Sequence, residues 1–205
     1  IFDFDGTIAD SLGSIRSLFN EIADKYNLPQ IKDKDLNELR GMSVREIVKK
    51  FKISSYKLLR ITLEIQPKFK SIIRDVEVID GIPDLIKNLH KSGKQIGIVS
   101  SNSTENIELF LTHNKIKDVD FIHTEKNLFG KGSVLKHTLS EQKIDKSKAF
   151  YVGDEVRDIE AARKAGIPVI SVTWGFNNSK RLKKAKPDFM VDKPLEIEKL
   201  IKELG

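Results

Sequence analysis

The strongest constraint on the fold is a recurring order of segments after Gly81: a stretch with helical period, then a short run that is apolar throughout, then another helix. Ile96 to Val99, Ala149 to Val152 and Val169 to Val172 are such runs, and Phe121-Ile122 is a shorter one. Successive strand side chains point to opposite sides, so a strand that is apolar at every position is covered on both faces. Helical periods separate the runs, beginning at Pro83, a residue suited to a first helical turn, and continuing over roughly 104–113, 132–140 and 156–165. The alternation predicts a Rossmann-like α/β core, a parallel sheet flanked by helices. Functional groups of such a sheet gather beyond the carboxyl ends of its strands.

The chain opens on Ile1-Phe2-Asp3-Phe4-Asp5, which alternates apolar and acidic residues and breaks at Gly6-Thr7. That pattern is a further strand running into a loop, with both carboxylates on one face. Beyond it the period changes. Leu12, Ile15, Leu18, Phe19, Ile22 and Tyr26 follow helical spacing behind a capping Asp10 or Ser11, and Pro29 closes the helix. Val44, Ile47, Val48 and Phe51 mark another helix, and Leu58 to Phe69 a longer one. Residues 12–78 are therefore expected to form a small all-helical cap inserted after the first strand, with 1–11 and 79–205 forming the α/β core.

With 205 residues, 39% of them apolar, the chain is long enough for one substantial core plus such an insertion. It has no cysteine, which excludes disulfides, thiolate nucleophiles and cysteine-based zinc sites and fits a reducing, cytoplasmic setting. No apolar run approaches the ~18 residues of a membrane span, so no membrane partner is expected. The chain starts at Ile1 instead of methionine and is expected to continue a few residues upstream. A formal charge of +6 favours anionic partners. The basic stretch from Lys180 to Lys186 lacks interleaved aromatic residues, so it is read as a solvated helix or loop, with no nucleic acid expected. His90, His113, His123 and His137 are scattered without metal-ligand spacing and are assigned to structure or solvent.

Four ends of strands or helices carry polar groups. The first holds Asp3 and Asp5. The second holds Ser100, with Ser101, Asn102 and Ser103 behind it, where hydroxyl, amide and backbone N–H donors suit phosphate oxygens. Lys131 sits between Gly130 and Gly132 at a helix start. Gly153-Asp154-Glu155 follows an apolar strand, with Asp158 one helical turn beyond Asp154. Carboxylates crowded together need a cation to stay ionised, and an oxygen-only ligand set opposite phosphate-type donors selects magnesium. A carboxylate held there can attack phosphorus, splitting one displacement into two. A calcium loop starting at Asp3 fails, because its last position would be Ser14 where a glutamate is required.

Asp3-Phe4-Asp5-Gly6-Thr7, Ser100, Lys131 and Gly153-Asp154-Glu155 through Asp158 resemble the four ordered motifs of the haloacid dehalogenase superfamily. The helical insertion resembles that of its type 1 cap members, and Phe4 to Ser11 and Leu128 to Leu135 look similar to phosphoglycolate phosphatases. The resemblance implies Asp3 as nucleophile and metal ligand, Asp5 as a backbone-carbonyl ligand and general acid and base, and Asp154 as the third ligand to Mg2+. It further implies Ser100, helped by Ser101 or Asn102, on the transferring phosphoryl group, and Lys131 offsetting its charge. Asp158 then orients Lys131 or a water on the metal, Glu155 shares that work, and Thr7 orients Asp5.

In the cap, Arg40, Ser43 and Arg45 are candidates for a substrate carboxylate or second phosphate, against surface charges and a helix-capping serine. The implied activity is a phosphatase of small phosphorylated metabolites, with phosphoglycolate first and nucleotides, pyrophosphate and sugar phosphates behind it, acting as a monomer or homodimer. A mutase resembling β-phosphoglucomutase and a binding protein that keeps the fold without catalysis are the rivals. A dehalogenase would leave Asp5 idle.

Overall fold

A computed structural model of the chain describes residues 1–124 and 130–204. Leu128 and Phe129, part of the second stretch similar to phosphoglycolate phosphatases, lie outside the described residues. Strands β1 (Gly97–Ser100) and β2 (Phe121–Thr124) pair in parallel, and β3 (Tyr151–Gly153), β4 (Val169–Val172) and β5 (Phe189–Val191) form a second parallel ladder. The opening segment joins the two. Phe2 bridges Ile98 on one side and Val152 on the other, both in parallel. Its backbone N donates to Gly97 O at 2.8 Å, and Asp3 N donates to Val152 O at 2.8 Å. The order is therefore β2, β1, opening segment, β3, β4, β5, which puts Asp3 at the middle of the sheet.

Alternation along the strands sorts the core into two faces. Ile98, Val152 and Ile170 join Phe2 and Phe4 in a cluster with Leu85 and Ile86 of one helix (Ile82–Lys91), Ile107 and Phe110 of a second (Thr104–His113) and Ile197 of a third (Pro194–Leu204). Their neighbours Val99, Tyr151 and Val169 pack on the other side against Leu135 and Leu139 of the helix Lys131–Glu141, Ile159 and Ala162 of Val156–Ala165, and Leu182 of Ser179–Ala185. Each buried aliphatic side chain contributes about 1.5–3 kcal/mol, and a one-residue slip of any strand would exchange its two sets, so the pattern fixes the register.

The stretch between the opening segment and residue 76 is helical: α1 (Leu12–Ala23), α2 (Asp33–Arg40), α3 (Val44–Lys50) and α4 (Ser55–Ile72). Ile22, Ala23, Leu28, Ile53 and Ile61 make a small apolar cluster of its own there. Its two connections to the sheet run side by side. Asp10 N donates to Glu77 O at 2.8 Å and Ile79 N to Ile8 O at 2.9 Å, around an antiparallel bridge between Ala9 and Val78. In chain order the remaining helices are α5 (Ile82–Lys91), α6 (Thr104–His113), α7 (Lys131–Glu141), α8 (Val156–Ala165), α9 (Ser179–Ala185) and α10 (Pro194–Leu204).

The basic stretch is only partly the solvated segment expected. Its helix α9 buries Leu182, and Arg181 donates to Gly41 O at 2.8 Å and pairs with Glu46 at 3.0 Å. Of the histidines, His90 lies near Asp118 and Asp120, His123 and His137 lie near Glu141, and His113 is exposed at the end of α6.

Candidate active site

The site is built where the opening segment, β1 and β3 end. Asp3 is buried at the first of these ends; its Oδ1 accepts from Phe4 N at 2.7 Å, and its Oδ2 lies 2.7 Å from Lys131 Nζ. Lys131 is the first residue of α7, and its ammonium also donates to Asp158 Oδ1 at 2.7 Å. Asp158, in the first turn of α8, turns its other oxygen to the backbone N–H groups of Asp154, 3.1 Å, and Glu155, 2.9 Å. It thereby satisfies helix N-terminal donors that have no partner within the helix. Gly153 makes room for this, since a Cβ on it would lie 2.6 Å from the Asp158 carboxylate.

Asp154 is fixed from two remote segments. The Thr7 hydroxyl donates to its Oδ1 at 2.7 Å, and Phe176 N donates to its Oδ2 at 2.6 Å. Two glycines let those segments approach. Gly6 has φ +74°, and a Cβ there would lie 2.5 Å from Asp154 Oδ2; a Cβ on Gly175 would overlap Asp154 Cβ outright. The hydroxyl of Thr7 is thus committed to Asp154, where the sequence reading directed it to Asp5.

Asp5 is held instead by Asn102, whose Nδ2 donates to Asp5 Oδ2 at 3.0 Å, while Asp5 Oδ1 is buried without a hydrogen-bond partner. Asn102 N donates to Ser100 Oγ at 3.1 Å, and the next residue, Ser103, caps α6. The loop after β1 is therefore locked to Asp5 at the end of the neighbouring segment.

Burial and mutual repulsion dominate the electrostatics. Burial first, then Asp3, push Asp5 up to about 6 against the hydrogen bond from Asn102. Burial likewise raises Asp154 well above its ordinary value, with Glu155, Asp158 and Asp3 adding to it, and it raises Asp3 despite the opposing Lys131. Burial works against the charge of Lys131, but Asp158 and Asp3 outweigh it and hold its pKa above the ordinary value. Carboxylate oxygens of Asp3, Asp154 and Asp158 all lie within 4.8 Å of one another. Three buried acids at that separation, with one ammonium among them, fit a divalent cation with oxygen ligands.

The cap candidates are placed differently. Ser43 caps α3, its hydroxyl accepting from Glu46 N at 3.2 Å while Glu46 accepts from Ser43 N at 2.6 Å. Arg40 Nη2 donates to Thr173 O at 3.1 Å, so this arginine ties the helical insertion to the loop after β4, while its Nε is buried without a hydrogen-bond partner. Arg45 is exposed in the first turn of α3.

Two groups escaped the sequence reading. The loop 173–178 contacts Asp154 through Phe176, Thr7 O through Trp174 Nε1 at 3.2 Å, and the insertion through Asn177 and Asn178. The glycine in it, just past an apolar strand, was the available signal. Arg157 is the other. Its Nε and Nη2 lie 2.7 and 2.5 Å from Glu155 Oε1, and its Nη1 is 3.5 Å from Ser101 Oγ.

Comparison with known proteins places this fold in a family. The model of the family of haloacid dehalogenase-like hydrolases matches residues 1–172, and the chain belongs to that family. It is 31% identical over 205 residues to the phosphoglycolate phosphatase of Synechococcus elongatus, covering 100% of this chain and 97% of that one. It is 26% identical over 209 residues to pyrophosphatase PpaX of Bacillus cereus, covering 100% and 96%. A haloacid dehalogenase-like hydrolase from Streptococcus pneumoniae shares the fold with a TM-score of 0.83 at 23% identity, covering 97% of this chain and 95% of that one. Within the family the chain is an enzyme of the phosphatase class. Among the described residues, no helix is long and apolar enough to cross a membrane.

Proposed function

We propose that the protein is a magnesium-dependent phosphatase of small phosphorylated metabolites that carries the phosphoryl group on Asp3. The observation that carries this reading is the approach of Asp3, Asp154 and Asp158 to within 4.8 Å, with Lys131 bridging two of them. Asp3 and Asp154, with the backbone carbonyl of Asp5, would hold the ion; when bound, it would supply Lewis-acid neutralisation of phosphoryl charge.

The Asp3 carboxylate attacks phosphorus, forming an acyl phosphate as the ester P–O bond breaks. Asp5, raised to about 6, titrates close enough to neutral pH to give a proton to the departing oxygen and then take one from the water that hydrolyses the acyl phosphate. Ser100 and the loop behind it orient the phosphoryl oxygens, and Lys131 offsets their charge. Asp158 keeps Lys131 in place, and Thr7 keeps Asp154 in place. Residues 12–78 act as a cap that excludes water, on a core of 1–11 and 79–205. The cytoplasm, as monomer or homodimer, is the setting proposed with it.

Phosphoglycolate is the first substrate to try, supported by the Synechococcus relative, and pyrophosphate the second, supported by the Bacillus one. Phosphate release from p-nitrophenyl phosphate is expected to need magnesium, to stop with EDTA and to fall at least about 1,000-fold in Asp3→Asn with the fold intact by circular dichroism. Substantial turnover by folded Asp3→Asn would remove Asp3 from the chemistry.

A further inference from the structure

Arg157 occupies a costly position. It is the second residue of α8, where the helix dipole disfavours a cation, and its side chain is only 23% exposed. Burial works against its charge, but Glu155, Asp3, Asp158 and Asp154 outweigh that and keep the guanidinium firmly protonated. Glu155 takes up Nε and Nη2, which fixes the plane of the fork. Nη1 is left with a 3.5 Å contact to Ser101 Oγ, on the loop that begins at Ser100. A fixed, partly accessible cation with one loosely held edge is built to meet an anion.

Position decides which anion. Lys131 already sits on Asp3 and is more deeply buried, 6% exposed against 23%, so the reacting phosphoryl group has its cation. Arg157 lies nearer solvent and beside Ser101, which suits a second group of the substrate. Arg40 and Arg181 are engaged by backbone carbonyls of Thr173 and Gly41.

We infer that Arg157 is a specificity residue that receives a second anionic group, a carboxylate or phosphoryl, on the leaving side of the phosphoester. The inference rests on the phosphatase reading and narrows its substrates to doubly anionic ones. It is tested by binding, without turnover, using two phosphonates that have no ester to cleave: 3-phosphonopropionate, with a second anion, and propylphosphonate, without one. Calorimetry with magnesium present is expected to show the parent protein binding the first at least about tenfold more tightly, as a charge-assisted contact implies. Arg157→Gln should abolish that preference, and Arg157→Lys, which keeps the charge but loses the fork, should retain part of it and serves alone if the glutamine variant does not fold. Equal affinity of the parent for both ligands, or a preference left undiminished in the variants, overturns the inference. Failure of the phosphatase reading shows separately, as no magnesium-dependent phosphate release from any ester.

Discussion

The Thr7 hydroxyl meets Asp154 Oδ1 at 2.7 Å across 147 residues of sequence, tying the loop after the opening segment to the end of β3. Thr7 and Asp154 are fully buried, so the acceptor has no water to replace the hydroxyl. Thr7→Val keeps the shape and removes the donor. It is expected to lower unfolding free energy by about 1–3 kcal/mol, the cost of an unsatisfied buried acceptor, read from the urea midpoint. A stability equal to the parent's would mean that Asp154 finds another donor.

Gly175 tests the same carboxylate from the other side. A methyl group there would overlap Asp154, and that aspartate is held too firmly by Thr7 and Phe176 to yield without moving. Gly175→Ala should raise the magnesium concentration for half-maximal activity by about tenfold or more, as displaced ligands and their supports do. A magnesium titration unchanged by the methyl group would rule out Asp154 as a ligand.

Lys131 is buried between two acids at 2.7 Å each. Lys131→Met leaves Asp3 and Asp158 unpaired in the interior, and breaking a buried pair in this way costs about 3–5 kcal/mol. The unfolding midpoint should fall accordingly, and magnesium should restore part of the loss by replacing the missing charge. A variant as stable as the parent without metal would show that the acids take up protons at no cost.

Asn177 joins three parts of the molecule: its Oδ1 accepts from Val156 N at 2.9 Å, its Nδ2 donates to Arg40 O at 3.3 Å, and its backbone N donates to Asp154 O at 3.3 Å. Asn177→Ala is expected to cost about 1–2 kcal/mol and to speed proteolysis within residues 33–50 more than elsewhere. Uniform acceleration along the chain would indicate global destabilisation only.

The α/β repeat was legible because its strands are buried on both faces. Helices expected at 104–113 and 156–165 match α6 and α8, and Val169 to Val172 matches β4. What was not legible lacks an apolar period. The Asp33–Arg40 helix carries one buried residue, Leu39, among charged ones, and β5 is three residues long with Met190 exposed. The motif acids and Lys131 stood out by type and spacing. Arg157 did not, because a cation in a charged helix start looks like a surface residue until its burial is known. Ser43 answered to its alternative reading, as a capping serine beside Glu46.

The paired backbone at Ile8–Asp10 and Glu77–Ile79 has a consequence for how such a chain can diversify. Departure and return of the polypeptide are stitched together at one spot, so the segment between them resembles a cartridge on a two-pin socket. Since closing a longer loop adds only about 0.6 kcal/mol per doubling of length, exchanging that cartridge for one of another size would leave the sheet and its reactive groups almost undisturbed.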